Sequence, residues 1–117
     1  MAEPLKVLFV CSQNRIRSLA AERLLQGHPA YVARSAGTDH DARIPVTAGH
    51  IGWADKIFVM EQRHRELLRQ KFRRELEQKE VICLFIPDEY EPLAEDLPEI
   101  LRVRLEAHLD LSVRGDA

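Results

Sequence analysis

Val7-Leu8-Phe9-Val10-Cys11-Ser12-Gln13-Asn14-Arg15-Ile16-Arg17-Ser18 is the stretch on which the reading of this chain turns. An apolar run ends at a cysteine, five residues separate that cysteine from an arginine, and a serine follows at once. Leu5 to Val10 is too short for a helix and rich in β-formers, which predicts a strand buried on both faces. Ser18 to Gln26 has helical spacing, with Ser18 as its cap, Leu19, Leu24 and Leu25 toward the core, and Glu22 and Arg23 toward water. The loop between them can curl into a ring whose backbone N–H groups point inward, and the following helix adds the positive end of its dipole. Strand, ring and helix in that order form the context an anion site requires.

Such a ring holds a phosphate dianion. Cys11 at its base would sit in a positive field that favours the thiolate, the form that attacks phosphorus. Ser12, Gln13, Asn14, Arg15 and Ile16 are the expected phosphate-binding residues, and Arg17 is expected to fork onto two phosphoryl oxygens. Ser18 can donate its hydroxyl to sulfur and ease departure of the thiolate. The leaving oxygen needs a proton from a carboxylic acid on another loop. Asp55 begins a strand and so lies at the wrong sheet edge, whereas Asp88 follows the fourth strand at its carboxyl end and is the expected donor. Glu89 is a second candidate; Glu91, Glu95 and Asp96 lie progressively further from the rim. As a carboxylate the same residue would then activate water against the cysteinyl phosphate. The scheme calls for no metal or other cofactor, and His28, His40, His50, His64 and His108 show no ligand spacing. Each histidine reads as a surface or structural residue.

Outward from this stretch, 117 residues predict one domain spanning the chain. Seventeen basic residues against 19 acidic ones give a net charge of −2, and the basic residues are spread out, so nucleic acid is not an expected partner. No run is apolar enough to span a membrane and no signal-peptide pattern opens the chain, which predicts a cytoplasmic protein with Cys11 and Cys83 as reduced thiols. Strands are expected at Tyr31 to Arg34, Lys56 to Met60 and Val81 to Ile86. Between the second and third strands, Ser35 to Thr38 reads as a turn with Gly37 at positive φ, and Val46 to Ala54 as a short helix started by Thr47 or the loop before it. Glu61 to Gln78 reads as the longest helix, with a solvated charged face, and Glu95 to Leu109 as a closing helix with Leu97, Ile100, Leu101, Leu105 and Leu109 inward. Apolar strands alternating with helices predict a three-layer α/β fold: a four-stranded parallel sheet, helices on both faces, and the first strand near the centre. Ligands bind such sheets beyond the carboxyl ends of strands where the winding reverses, which is where Cys11 stands.

These motifs together resemble the low-molecular-weight protein tyrosine phosphatase family. Cys11 to Ser18 resembles its phosphate-binding loop, with Asn14 at the loop asparagine. Ser35-Ala36-Gly37-Thr38 is similar to its second-strand signature, His40-Asp41-Ala42-Arg43 to its His-x-Ala-Arg segment, and Asp55 to Glu61 to its Asp-x-Ile-x-x-Met-acid strand. Asp88-Glu89-Tyr90 resembles its acid loop. The resemblance implies strand order 2-1-3-4 and hydrolysis of phosphotyrosine through a cysteinyl phosphate. It also implies Asp88 as general acid, Tyr90 as a pocket-wall aromatic, and Asn14, Ser35 and His40 as a network bracing the loop. The expected partner is a phosphorylated protein or a small phosphomonoester.

The chain departs from that pattern in four places. Gln13 replaces the loop glycine, so the strained turn must rest on Asn14, which tolerates positive φ. Ile16 replaces a second loop cysteine, and Arg15 adds a guanidinium where the family is usually apolar. The segment between Thr38 and His40, which supplies an aromatic wall in the family, is nearly deleted, so a weaker preference for aryl phosphates is expected; Trp53 is expected in the core near the third strand. Two other readings share the loop. An arsenate reductase would need further thiols near Cys11, for which only Cys83 is available. A non-catalytic phosphate-binding or regulatory protein would need the loop but not Asp88.

Overall fold

The computed structural model describes residues 3–88 and 95–112. Its sheet has four parallel strands, β1 (Leu5–Cys11), β2 (Tyr31–Gly37), β3 (Lys56–Val59) and β4 (Val81–Cys83), in the order β2-β1-β3-β4. The helices are α1 (Arg17–Leu25), α2 (Ala48–Trp53), α3 (Gln62–Lys71), α4 (Arg73–Leu76) and α5 (Leu97–Glu106). No helix among the described residues is long and apolar enough to cross a membrane.

Alternation along the central strand builds two cores. Val7, Phe9 and Cys11 pack with Ala21 and Leu25 of α1 and with Leu97, Leu101 and Leu105 of α5. Leu8 and Val10 face the other way, against Ile51 of α2, Leu68 of α3 and Phe72 and Leu76 around α4. Val7 to Val10 are fully buried because helices cover both faces, which is why the strand reads as a continuous apolar run. The chain leaves β1 toward β2 on one side and returns to β3 on the other, so the winding reverses directly above Cys11.

Several boundaries differ from the sequence expectation. β2 runs on through Ser35, Ala36 and Gly37, which pair with Phe9, Val10 and Cys11. Gly37 is therefore not a positive-φ turn residue; its lack of a side chain serves close approach. A Cβ there would lie 2.5 Å from the Ser12 carbonyl oxygen and 2.6 Å from the Ala42 Cβ. The expected helix over 61–78 is two helices, broken at Phe72 (φ −126°, ψ 39°), whose N–H still reaches the Leu68 carbonyl while its own carbonyl accepts from Leu76. The break keeps Leu68, Phe72 and Leu76 in one core. β4 stops at Cys83, because Phe85 turns to φ +57°, yet the Leu84 and Ile86 amides still donate to Val59 and Met60. In α1 the buried positions are Arg17, Ser18, Ala21 and Leu25, with Leu19 and Leu24 only half-buried. Thr47 does start α2, through a reciprocal capping box with His50. Trp53 is half-buried at the edge of the second core, with the Arg34 guanidinium 4.3 Å from its ring centroid.

Gly37→Ala is expected to destabilise the fold by about 2 kcal/mol, the usual range for overpacking against backbone. Gly52→Ala, at a helical position where a Cβ meets nothing within 4 Å, is expected to be neutral or stabilising. Urea unfolding midpoints of the two variants check the contrast.

Candidate functional site

The residues from Cys11 to Arg17 form a ring because the neighbouring segment takes up its outward carbonyls one after another. The Cys11 carbonyl accepts from the Thr38 amide at 2.8 Å, that of Ser12 from Asp39 at 3.0 Å, and that of Gln13 from Arg43 at 2.9 Å. The Asn14 carbonyl accepts from the Arg43 Nε at 2.9 Å. Asn14 supplies the strained corner at φ +56°, the conformation expected of it in the absence of a loop glycine. The Gln13 side chain is tied outward, its amide donating to Asp39 at 2.5 Å and to Asp41 at 3.3 Å.

Inside the ring, the Asn14 N–H points at Cys11 Sγ, 3.3 Å away. Among the described residues the amides of Ser12, Gln13, Arg15 and Ile16 donate no hydrogen bond. Four loop amides without a partner, between the sulfur and the start of α1, are donors of the kind an anion site uses. The cavity they enclose is about 190 Å³ and is lined by Cys11, Ser12, Gln13, Arg15, Ile16, Arg17 and Asp88. None of these lining side chains is aromatic.

Ser18 is fully buried, and it does not cap α1: the N-cap position is Ile16, with no side-chain hydrogen bond. The reason is that its hydroxyl is engaged inside the ring. Ser18 Oγ accepts from the Asn14 side-chain amide at 2.7 Å, and its own proton has two acceptors within reach, Cys11 Sγ at 3.0 Å and the Ala36 carbonyl at 3.5 Å.

Arg17 is only 2% exposed, so its charge needs partners. Nη1 donates to Glu61 Oε1 at 2.6 Å and to the Ile86 carbonyl at 2.8 Å. Nη2 lies 3.8 Å from Asp88 Oδ1, beyond hydrogen-bond distance. Nε and Nη2 make no hydrogen bond among the described residues, so one two-donor edge of the guanidinium is left over. Burial pushes the Glu61 carboxyl up, but the hydrogen bonds from Arg17 and Arg63 outweigh it and hold the group at about 2.

The structure separates the expected bracing network. Asn14 is in it, but the Ser35 hydroxyl donates to Glu22 at 2.5 Å and not to the loop. His40 is exposed and makes no hydrogen bond among the described residues. Their place is taken by His64, which is fully buried: its Nε2 lies 2.9 Å from Ser12 Oγ and its Nδ1 accepts from the Glu61 N–H at 3.0 Å. Of the two alternatives expected for His64, surface or structural, its burial and its two hydrogen bonds select the structural one. Arg15 is exposed, and its guanidinium donates to the Asp41 carbonyl at 3.4 Å. Asp88 stands at the cavity rim with its side chain 59% exposed. Glu89, Tyr90 and Glu91 lie outside the described residues; Glu95 and Asp96 immediately precede α5 and do not line the cavity.

Glu61, His64 and Arg43 were not singled out as site residues from the sequence. Glu61 follows the carboxyl end of β3 by the same logic that selects Asp88 after β4, so its position was a usable signal. His64, three residues after Glu61, has the spacing of a capping box. Cys83 belongs to the second core, on the opposite face of the sheet from Cys11, so the described residues contain no relay of thiols.

His64 is held neutral at about 4, by burial first and then by the charges of Arg17 and Arg63. Its folded value lies below that of an unfolded histidine, so the unfolded chain binds the extra proton between pH 6.5 and about 4. Stability is expected to be fully present above pH 6.5 and to fall through that window, by at most about 1.4 kcal/mol per pH unit for one proton. Urea titrations from pH 7 to 4 should show this slope in the wild type and a shallower one in His64→Phe.

No protein-family model and no curated protein sequence matches the chain. Solved structures do match. The tyrosine phosphatase Wzb from Escherichia coli K30, in complex with phosphate, is 20% identical with a TM-score of 0.66 over 90% of this chain and 96% of that one. SP-PTP, a low molecular weight protein tyrosine phosphatase from Streptococcus pyogenes, gives 0.72 at 15% identity over 92% and 95%. The YwlE arginine phosphatase from Geobacillus stearothermophilus gives 0.59 at 21% over 89% and 85%. At these identities the likeness is one of architecture: the chain has the α/β fold seen in low molecular weight protein tyrosine phosphatases.

Proposed function

We propose that this protein is a cysteine-dependent phosphomonoester hydrolase that works through a cysteinyl-phosphate intermediate. The observation that carries this reading is the ring of unsatisfied loop amides and the free Arg17 edge around Cys11 Sγ, with the Asp88 carboxyl on the same rim. A binding site for a phosphoryl group and a nucleophile at its base coincide, and an acid stands within reach. The acid is what favours turnover over passive phosphate binding.

In the first step Cys11 sulfur attacks phosphorus, the S–P bond forms, and the bond to the ester oxygen breaks. Asp88 delivers its proton to that leaving oxygen. The three equatorial oxygens meet the loop amides and the two-donor edge of Arg17, which stabilise charge as the transition state forms. In the second step the Asp88 carboxylate takes a proton from water, the water oxygen attacks phosphorus, and the S–P bond breaks. The Ser18 hydroxyl, 3.0 Å from Sγ, donates to the departing thiolate and stabilises it. Inorganic phosphate leaves and Asp88 is protonated again.

Phosphotyrosine is the favoured substrate class: Wzb is named a tyrosine phosphatase and SP-PTP a protein tyrosine phosphatase. Arginine phosphatase activity is what the name of YwlE states for that protein. The short Thr38 to His40 connection and the absence of aromatic side chains among the described cavity-lining residues argue for weak discrimination between aryl and alkyl esters. A cytoplasmic setting, where Cys11 stays a free thiol, belongs to the same reading.

Hydrolysis of para-nitrophenyl phosphate and of alkyl phosphomonoesters tests the proposal. Cys11→Ser is expected to abolish turnover, and undiminished activity in that variant would refute the mechanism. Asp88→Asn is expected to lower kcat by about 10²–10³-fold, with the larger loss for esters of poorer leaving groups. Arg17→Lys is expected to lose on the order of 10²-fold, since an ammonium cannot supply the fork. Strong selectivity for aryl over alkyl esters would contradict the expected weak discrimination.

A further inference from the structure

Of the five histidines, His64 alone is fully buried, and the reaction scheme makes no use of it. Its two ring nitrogens have different partners. Nδ1 accepts the Glu61 N–H at 3.0 Å, so in the neutral ring the proton resides on Nε2. Nε2 therefore donates to Ser12 Oγ at 2.9 Å, and that oxygen is the acceptor. The hydroxyl proton of Ser12 is left over, and among the described residues it has no acceptor. Ser12 lines the cavity beside Cys11 and Arg17.

We infer that His64 is a positioning residue that commits the Ser12 hydroxyl to donate into the cavity, making Ser12 a further side-chain ligand of the phosphoryl group. The inference rests on the cavity being the phosphate site proposed above. Without an oriented partner a serine hydroxyl is as ready to accept as to donate, and an acceptor facing a dianion repels it. Charging the ring would place a proton on Nδ1 and break the bond from Glu61; burial and the nearby guanidinium groups of Arg17 and Arg63 oppose that. The same helix start also holds Arg17 through the Glu61 carboxylate. The first turn of α3 thus sets two phosphate ligands at once, Arg17 through a carboxylate and Ser12 through an imidazole.

The test is the affinity for inorganic phosphate, measured by calorimetry so that no turnover is required, together with kcat and KM on a phosphomonoester. Ser12→Ala is expected to weaken phosphate binding about tenfold, the usual weight of a hydrogen bond to a charged group, and to raise KM more than it lowers kcat. Ser12→Thr, which keeps the hydroxyl, should restore most of the affinity. His64→Phe should show a similar loss, and the double variant Ser12→Ala/His64→Phe should be no worse than the weaker single. Nitrogen-15 spectra of the wild type should show Nε2 protonated and Nδ1 bare at pH 7. Unchanged phosphate affinity in Ser12→Ala, losses that multiply in the double variant, or the opposite tautomer would each overturn the inference. A wild type that binds phosphate with the expected Ser12 dependence yet hydrolyses no ester would overturn the proposed reaction and uphold this inference.

Discussion

The charge of Arg17 is the constraint around which the upper edge of the sheet is organised. A guanidinium 2% exposed is costly unless it is paired and hydrogen-bonded, and its partners come from two different strand ends. Glu61 follows the end of β3, and the Ile86 carbonyl lies just past β4. The strand order β2-β1-β3-β4 places both of these on the side of β1 toward which α1 carries Arg17. Phe85 fits the same requirement: its turn to φ +57° sends its own side chain to the surface while Leu84 and Ile86 stay buried and bonded to β3. The early end of β4 goes together with the delivery of the Ile86 carbonyl to Arg17.

The other side of the loop answers to backbone satisfaction. A ring with its N–H groups inward turns its carbonyls outward, and buried carbonyls need donors. Thr38, Asp39 and Arg43 supply them, which requires that strand β2 and the segment after it lie against the loop backbone. Only a glycine at position 37 permits that distance. The loop therefore has no conformational freedom of its own to spare: Asn14 adopts the left-handed corner, and Gln13 is anchored by Asp39 and Asp41. The short connection after Thr38 is consistent with this, since Thr38, Asp39 and Arg43 all bond the ring.

The parallel sheet and the location of the loop were readable because they rest on strong local signals: a continuous apolar run in β1, a four-residue repeat of leucines in α5, and the cysteine-to-arginine spacing; the strand order came from the resemblance alone. The break at Phe72 was not, because the apolar spacing continues through it and only the backbone records the interruption. Ser35 and His40 were misassigned through resemblance alone. What decides their roles is which carboxylate or carbonyl happens to lie opposite, and Glu22 lies opposite Ser35. His64 escaped because its function is set by contacts on both ring nitrogens, one local and one 52 residues away at Ser12. Spacing reveals the first contact and is silent on the second.

The way Arg17 is shared explains how a buried cation already paired with a carboxylate can keep one hydrogen-bonding edge open. Glu61 and Ile86 both take Nη1, and Asp88, at 3.8 Å from Nη2, stops short of a hydrogen bond. The pair with Glu61 offsets the cost of burial while leaving the opposite edge of the plane open. A dianion entering the ring then adds partners without breaking any that the fold relies on, so binding requires no rearrangement of the supporting ion pair. A lysine has no such second edge: its single nitrogen could be held by Glu61 or turned to the ligand, but the geometry that does one compromises the other. The cysteine-to-arginine spacing thus encodes more than a positive charge above a sulfur. It specifies a cation with two separable faces, one held by the fold and one left open, where the proposed reaction places the anion.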